Sequence, residues 1–274
     1  MPEGPEVKLF TSNVKKHFLS KKIVDAKVLS GRYTKKPIEN LNLLINKKIT
    51  DVCCKGKFIW FDIENIIVFN TLGMTGAWSK NKNKHTRILM TFDDGSELCF
   101  NDMRNFGTFQ IKSPEELTKK LKSLGPDMLS APPDNFVEIL RKYNNKNICD
   151  AIMKQNIISG VGNYIKAESL WYSCINPLAY IKDLTDDNLV LLDKAIRFVM
   201  LKSYGSLGAS IRDYYTFDDQ EGSATNGFVV YGRDKDFNGN KVEKITTLDK
   251  RTTHYSPLRQ TIKWKTIDSL KKMS

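Results

Sequence analysis

Apolar residues near the start of the chain recur with a helical period. Val7, Phe10 or Thr11, Val14 and Phe18 fall close to a 3.6-residue repeat, with Lys8, Lys15 and Lys16 between them. The spacing predicts a helix from Pro5 to Phe18, since proline suits the first turn, where its missing N–H costs nothing. From Lys21 to Lys112 the pattern changes. KKIVDAKVL, KKITDVCC, KFIWFDI, NIIVFNTL, RILMTF and ELCFND are short runs rich in branched and aromatic residues, and Asp94-Gly95 between the last two predicts a hairpin. Strands so closely spaced imply an antiparallel sandwich or barrel. SPEELTKKLKSLGP then reads as a capped helix, with Ser113 as cap, Pro114 opening it, Glu116 completing a capping box and Gly125-Pro126 ending it. PDMLSAPPDN, which holds three of the nine prolines, is the candidate linker.

After Asp134 the period returns to helical in DNFVEILRKY, NICDAIMKQN, NYIKAESLWYS and LTDDNLVLLDKAIRFVMLKSYG. From Asn226 on, branched residues alternate with polar turns, and KTIDSLKKMS reads as a solvated tail. No internal repeat stands out. The whole is an α+β pattern: strands first, helices after, then a short β segment.

Charge narrows the partners. A formal net charge of +12 and a pI near 9.3 favour anionic partners, nucleic acid before a membrane surface. No apolar run is long enough to span a bilayer, and the N-terminus lacks an apolar signal core, so an intracellular protein is expected. The five cysteines include no C-x-x-C pair, and their odd number argues against a disulfide framework.

Several stretches can carry chemistry. If Met1 is removed, Pro2 becomes a free secondary amine beside Glu3. An α-amino group has a pKa of about 7.7–8.0, so a neutral fraction exists near pH 7 and can attack a carbonyl carbon. The plainer reading is that Pro5 and Glu6 only start the helix. Lys57, in KGKFIWF, lies at a strand start that could equally be a solvated turn. LGMTG and NDMRNFG are glycine-punctuated turns carrying Met74, Arg104 and Phe106. These side chains either cap the core or act as wedges between bases. In QNIISGVGNYIKAESLW, Asn163 begins a helix after a glycine turn, an arrangement that suits an anion. KRTTHYSPLRQTIKWK alternates basic residues, Arg251 among them, with threonines and aromatics, and suggests a hairpin with one basic face.

Together, and in this order, these residues resemble the formamidopyrimidine-DNA glycosylase/endonuclease VIII family of base-excision repair enzymes. PEGPE is the endonuclease VIII form of the start. The resemblance implies that Pro2 is the nucleophile, that Glu3 moves protons, that Glu6 holds the N-terminus and that Lys57 is the family's lysine. It places Met74, Arg104 and Phe106 in the gap left by a flipped nucleotide, and Asn163 and Arg251 on backbone phosphates. The implied substrate is damaged DNA, double-stranded, with single strands left open. The implied reaction is removal of oxidised bases, mainly pyrimidines, followed by β,δ-elimination by a monomer with no cofactor. A damaged-DNA binder without activity is the alternative. An N-terminal-proline tautomerase shares only the proline.

The chain departs from the family in two ways. Most members hold their C-terminal finger with four cysteines on zinc, and no cysteine follows Cys174 here. The chain resembles instead the zincless-finger type found in animal and giant-virus endonuclease VIII-like proteins, so no metal is expected. Thr71 and Asn105 also replace a histidine and an arginine usual in the formamidopyrimidine branch. The domains implied are a catalytic β-sandwich domain over residues 1–125 and a linker over 126–135. A helix–two-turn–helix domain over 136–225, a zincless finger hairpin over 226–265 and a tail over 266–274 follow.

Overall fold

The computed structural model describes residues 2–208 and 223–261. The loss of Met1, part of the expected helical domain, the end of the expected finger and the tail therefore fall outside the described residues. Contacts divide the chain into two compact units. One holds the chain up to Pro133 with Lys154–Gly162 and Met200–Gly227; the other holds Asp134–Met153, Asn163–Val199 and the chain from Phe228 on.

In the first unit, helix α1 (Gly4–Phe18) starts one residue earlier than its apolar period predicts. Eight strands follow: β1 (Ile23–Val28), β2 (Asp51–Lys55), β3 (Phe58–Ile63), β4 (Ile66–Thr71), β5 (Gly76–Ser79), β6 (Thr86–Phe92), β7 (Glu97–Asp102) and β8 (Thr108–Lys112). They form two antiparallel four-stranded sheets, in the orders β1-β6-β7-β5 and β2-β3-β4-β8. The runs read from the sequence match six of these strands. The short β5 and β8 follow glycine turns and carry too few alternating positions to announce themselves.

The sheets pack face to face around Trp78. Its ring lies 5.1 Å from Phe100 of its own sheet, and 5.1 Å from Phe61 and 6.3 Å from Phe109 of the other. The indole N–H donates to Asn70 Oδ1 at 3.0 Å, and Asn70 Nδ2 donates to the Thr108 carbonyl at 2.7 Å, so the buried polar atoms are satisfied. Helix α1 lays Val7, Phe10, Val14 and Phe18 into the same core. Asp94 and Gly95 sit in the β6–β7 turn, with Gly95 at φ +81°. Helix α2 (Pro114–Ser123) carries the expected capping box: Glu116 N donates to Ser113 Oγ at 3.3 Å, and Ser113 N to Glu116 Oε2 at 3.0 Å.

The second unit contains α3 (Phe136–Arg141), α4 (Ile148–Met153), α5 (Asn163–Tyr172) and the larger part of α6 (Asp186–Gly205). Its described strands, β9 (Glu243–Thr246) and β10 (Thr252–Tyr255), pair as a hairpin. This corrects the expectation of a hairpin folded within residues 250–265. Strand β10 ends at Tyr255, and Ser256–Gln260 forms a turn closed by Arg259 N and Gln260 N on the Ser256 carbonyl. Arg259 consequently does not line a basic strand face. Its guanidinium stacks 4.0 Å over Trp171, and its Nε donates to the Trp171 carbonyl at 2.9 Å. Lys263 and Lys265 lie outside the described residues.

Phe10 is 1% exposed and ties the N-terminal helix to the sandwich. Phe10→Ala is expected to cost about 3–5 kcal/mol in urea unfolding, the usual penalty for truncating a buried aromatic.

Candidate active site

The predicted site residues fall into three groups. The first surrounds the N-terminus. Pro2 is buried, and the carboxylates that follow it, Glu3 and Glu6, are 2% and 1% exposed. Burying carboxylates is costly unless each finds partners. Glu6 Oε2 accepts the Glu3 N–H at 2.7 Å in a capping-box arrangement, and Glu6 Oε1 accepts the Ser203 hydroxyl at 3.2 Å. Glu3 is the N-cap of α1 and Glu6 lies in its first turn, the end where the helix dipole favours negative charge.

Beneath them runs the strap 155–162. Gly4 N donates to the Gly160 carbonyl at 2.9 Å. The Glu3 side chain lies directly on Gly162: a Cβ there would come 2.2 Å from Glu3 Cδ and 2.4 Å from Oε1. Lys57, on the β2–β3 turn, reaches the same strap and donates to the Val161 carbonyl at 2.8 Å. Gly56 allows the approach, since its φ is +59° and a Cβ would lie 2.6 Å from Gly160 N. Gln155 was not singled out from the sequence. Its Oε1 accepts Gly160 N–H and its Nε2 donates to the Val161 carbonyl, both at 3.0 Å, so one amide fixes the strap that Gly4 and Lys57 contact. Glu3, Gly4 and Lys57 thus all meet one short backbone segment, while Glu6 is tied to it only through the Glu3 N–H and Pro2 precedes Glu3 in the chain.

The second group is a pair of stacked turns. Met74 is half-buried, Arg104 is exposed and Phe106 is 53% exposed. The Arg104 guanidinium lies 5.0 Å over the Phe106 ring. Of the two readings open in the sequence, Phe106 does not take the core-capping one. Asp102 ties the turns together: Oδ1 accepts the Thr75 hydroxyl at 2.6 Å and Oδ2 accepts Gly107 N–H at 2.7 Å, while Arg104 N donates to Thr75 Oγ1 at 2.9 Å. Two arginines clamp the outside. Arg87 donates to the Asp102 carbonyl at 2.7 Å and the Met103 carbonyl at 3.2 Å, and Arg32 donates to the Gly107 carbonyl. Asn105 takes φ +60°, a conformation that asparagine tolerates better than arginine, which rationalises its place in this turn.

The third group lies in the second unit. Asn163 opens α5 and donates from Nδ2 to the Thr252 carbonyl at 2.9 Å. Arg251 is exposed in the turn between β9 and β10. Three acidic side chains hold the segment that carries it. Glu168 accepts the N–H groups of Val229, Val230 and Tyr231 at 2.9, 2.9 and 2.8 Å. Asp236 accepts from Trp171 Nε1 at 3.1 Å and from the backbone of Asn238 and Asn240, both at 2.9 Å. Asp249 pairs with Lys166. The sequence carried a signal for Lys166 and Glu168, the two charges within the mostly apolar α5.

A tetrahedral zinc would need about four thiolate or imidazole ligands here. No cysteine follows Cys174, and His254 alone, against Tyr231 at 5.1 Å, cannot supply them. Among the described residues no three of His, Cys, Asp or Glu gather as a metal site. The residues present do not fit the metal. Nor does a cysteine compete as nucleophile in the cores, where burial pushes Cys99 up to about 11 and Cys149 up to about 12.

Burial opposes the charge on Asp236, but hydrogen bonds from Trp171 and Asn240 outweigh it and bring its pKa down to about 2. A depressed folded-state pKa gives stability that is present above the ordinary Asp value and lost as pH falls through the folded one. The melting temperature is therefore expected to fall between about pH 4 and pH 2, and Asp236→Asn should remove part of that fall in a calorimetric pH series.

The chain is similar to known proteins over most of its length. The formamidopyrimidine-DNA glycosylase N-terminal domain matches residues 1–109, and the formamidopyrimidine-DNA glycosylase H2TH domain matches residues 124–214. The formamidopyrimidine-DNA glycosylase of Bacillus licheniformis is 32% identical over 274 residues, covering 93% of this chain and 98% of its own. That of Listeria monocytogenes is 30% identical over 271 residues, covering 94% and 98%. The Lactococcus lactis enzyme, solved in complex with DNA containing an abasic site, superposes with a TM-score of 0.86 at 27% identity, covering 95% of this chain and all of the other. A point mutant of the same enzyme, solved with DNA containing Fapy-dG, gives 0.85 at 26% identity over the same shares of the two chains. No described helix is long and apolar enough to cross a membrane. The chain belongs to the formamidopyrimidine-DNA glycosylase/endonuclease VIII family of base-excision repair DNA glycosylases.

Proposed function

We propose that the chain is a bifunctional DNA glycosylase and abasic-site lyase that removes oxidised bases, mainly pyrimidines, from damaged DNA as a monomer. The observation that carries this reading is the pair of carboxylates buried at the N-terminus, Glu3 against a glycine strap and Glu6 on the Glu3 N–H. A helix start alone does not require that burial; a fixed amine with a neighbouring proton carrier does.

With Met1 removed, the Pro2 nitrogen attacks C1′ of the damaged nucleoside, and the N-glycosidic bond breaks with its electrons leaving on the base, which takes up the proton lost from the Pro2 nitrogen. Glu3 protonates the sugar ring oxygen as the C1′–O bond opens, leaving an iminium between Pro2 and C1′. The iminium acidifies C2′. Loss of that proton expels the 3′ phosphate, and loss of a second, from C4′, expels the 5′ phosphate. Hydrolysis frees Pro2. Glu6 holds the helix start in place through the Glu3 N–H.

The other residues bind and open the duplex. Lys57, Asn163 and Arg251 contact phosphates around the lesion. Asn163 gives one N–H to Thr252, and its second remains for an acceptor. Met74, Arg104 and Phe106 fill the gap left by the extruded nucleotide, and the clamped turns support an exposed aromatic there. Extrusion costs a few kcal/mol and costs least for a damaged base, which itself contributes selectivity. The finger works without zinc.

Borohydride trapping on a thymine-glycol oligonucleotide tests the chemistry. A covalent adduct mapped to residue 2, with Met1 absent, is expected; Pro2→Gly or a retained N-terminal tag should abolish it while DNA binding persists. Tight binding with no adduct on thymine glycol, hydantoin or abasic DNA would leave an inactive damage binder. Chelation is expected to change neither strand cleavage nor melting temperature, and loss of either with release of zinc would overturn the metal-free finger.

A further inference from the structure

Arg251 sits in a turn that is fastened from beneath by one face of α5. Lys166 on α5 has no exposed side-chain surface, and its Nζ lies 2.6 Å from Oδ2 of Asp249, whose side chain is 5% exposed. The same ammonium reaches Thr247 Oγ1 at 3.5 Å. Asp249 Oδ1 accepts the Thr247 hydroxyl and, at 3.4 Å, the Arg251 N–H. Thr247 closes the turn from the other side, its N–H donating to the Arg251 carbonyl at 3.1 Å and its carbonyl accepting Lys250 N–H at 2.8 Å. One residue beyond Arg251, the Thr252 carbonyl accepts from Asn163. Asn163 and Lys166 are three apart and share a helix face. They therefore hold positions 249 and 252, and Arg251 projects between the two anchors.

A buried ion pair is poor evidence for stability. Its desolvation offsets most of its attraction, and an apolar pair of similar volume often serves as well or better. What the pair adds is direction. An ammonium at 2.6 Å fixes one carboxylate oxygen, which leaves the other oriented toward Thr247 and the Arg251 amide. We infer that Lys166 and Asp249 are positioning residues for Arg251, setting where its guanidinium meets the DNA backbone in a finger whose residues do not fit a metal. The inference rests on the reading of Arg251 as a phosphate contact.

The test uses the full chain and a duplex carrying a tetrahydrofuran abasic analogue, with affinity measured by anisotropy across a salt series. Lys166→Met with Asp249→Leu removes one charge of each sign, so net charge is unchanged and cannot itself alter the slope. The double variant is expected to bind about tenfold more weakly, to flatten the log–log salt slope by about one unit as Arg251→Ala does, and to lose little more when Arg251→Ala is added. Asp249→Asn, closer in shape, should weaken binding in the same direction and keeps the inference testable if the double variant fails to fold. Wild-type affinity and slope in the variant that folds, even with a lowered melting temperature, would make the pair merely structural and overturn the inference. If Arg251→Ala itself leaves the slope unchanged, the phosphate reading fails and the inference falls with it. If Arg251→Ala flattens the slope and the pair variants do not, only the inference falls.

Discussion

Everything proposed for the N-terminus depends on one close contact: the Glu3 carboxylate resting on the backbone of Gly162, where any Cβ would occupy the same space. Chain ends ordinarily fray. This one is held by α1 on one side and by the strap on the other, through Gly4 to the Gly160 carbonyl. The strap is itself braced by Gln155 and touched by Lys57 at Val161. A nucleophile gains most from being held near its reaction geometry before substrate arrives. On the proposed mechanism the backbone supplies that order, and the buried carboxylates a route for protons.

The turns bearing Met74, Arg104 and Phe106 solve a different problem. An aromatic ring left about half exposed gains little from its own packing, so its position must come from the loop beneath it. Asp102 provides this by joining the two turns with both oxygens, and Arg32 and Arg87 secure the carbonyls on the outer side. The side chains proposed as wedges can therefore meet a partner while their backbone is fixed. This division suits a surface that must enter a duplex without losing its shape.

Much of this was legible in the sequence because local rules and tertiary structure agree. The 3.6 period of α1, the Asp94-Gly95 turn and the Ser113–Glu116 capping box each specify their element from a few neighbouring residues. The order of motifs led to the family. What stayed hidden depends on residues distant in sequence. Gln155 looks like any helix-end amide until the strap folds back on it. Arg259 follows the basic alternation of its neighbours, yet Trp171, 88 positions earlier, takes it out of the strand pattern. Lys166 and Glu168 lie in the helix that follows the glycine turn, but their partners lie on segments that no periodicity connects to α5.

Those two charges explain how a segment with little regular structure becomes specific. The chain from Phe228 to Gln260 contains eight strand residues, too few to define a shape by backbone pairing alone. A zinc ion would impose geometry through directional bonds to one centre. Here the constraint is distributed: Glu168 gathers three consecutive N–H groups, Asp236 closes the turn before β9, and Lys166 with Asp249 closes the turn after it. Each carboxylate has partners, so the buried charges are satisfied. A metal site fails when a single ligand is lost, whereas separate anchors fail one at a time. Fastening the turn nearest Arg251 can therefore be tuned without dismantling the rest of the finger.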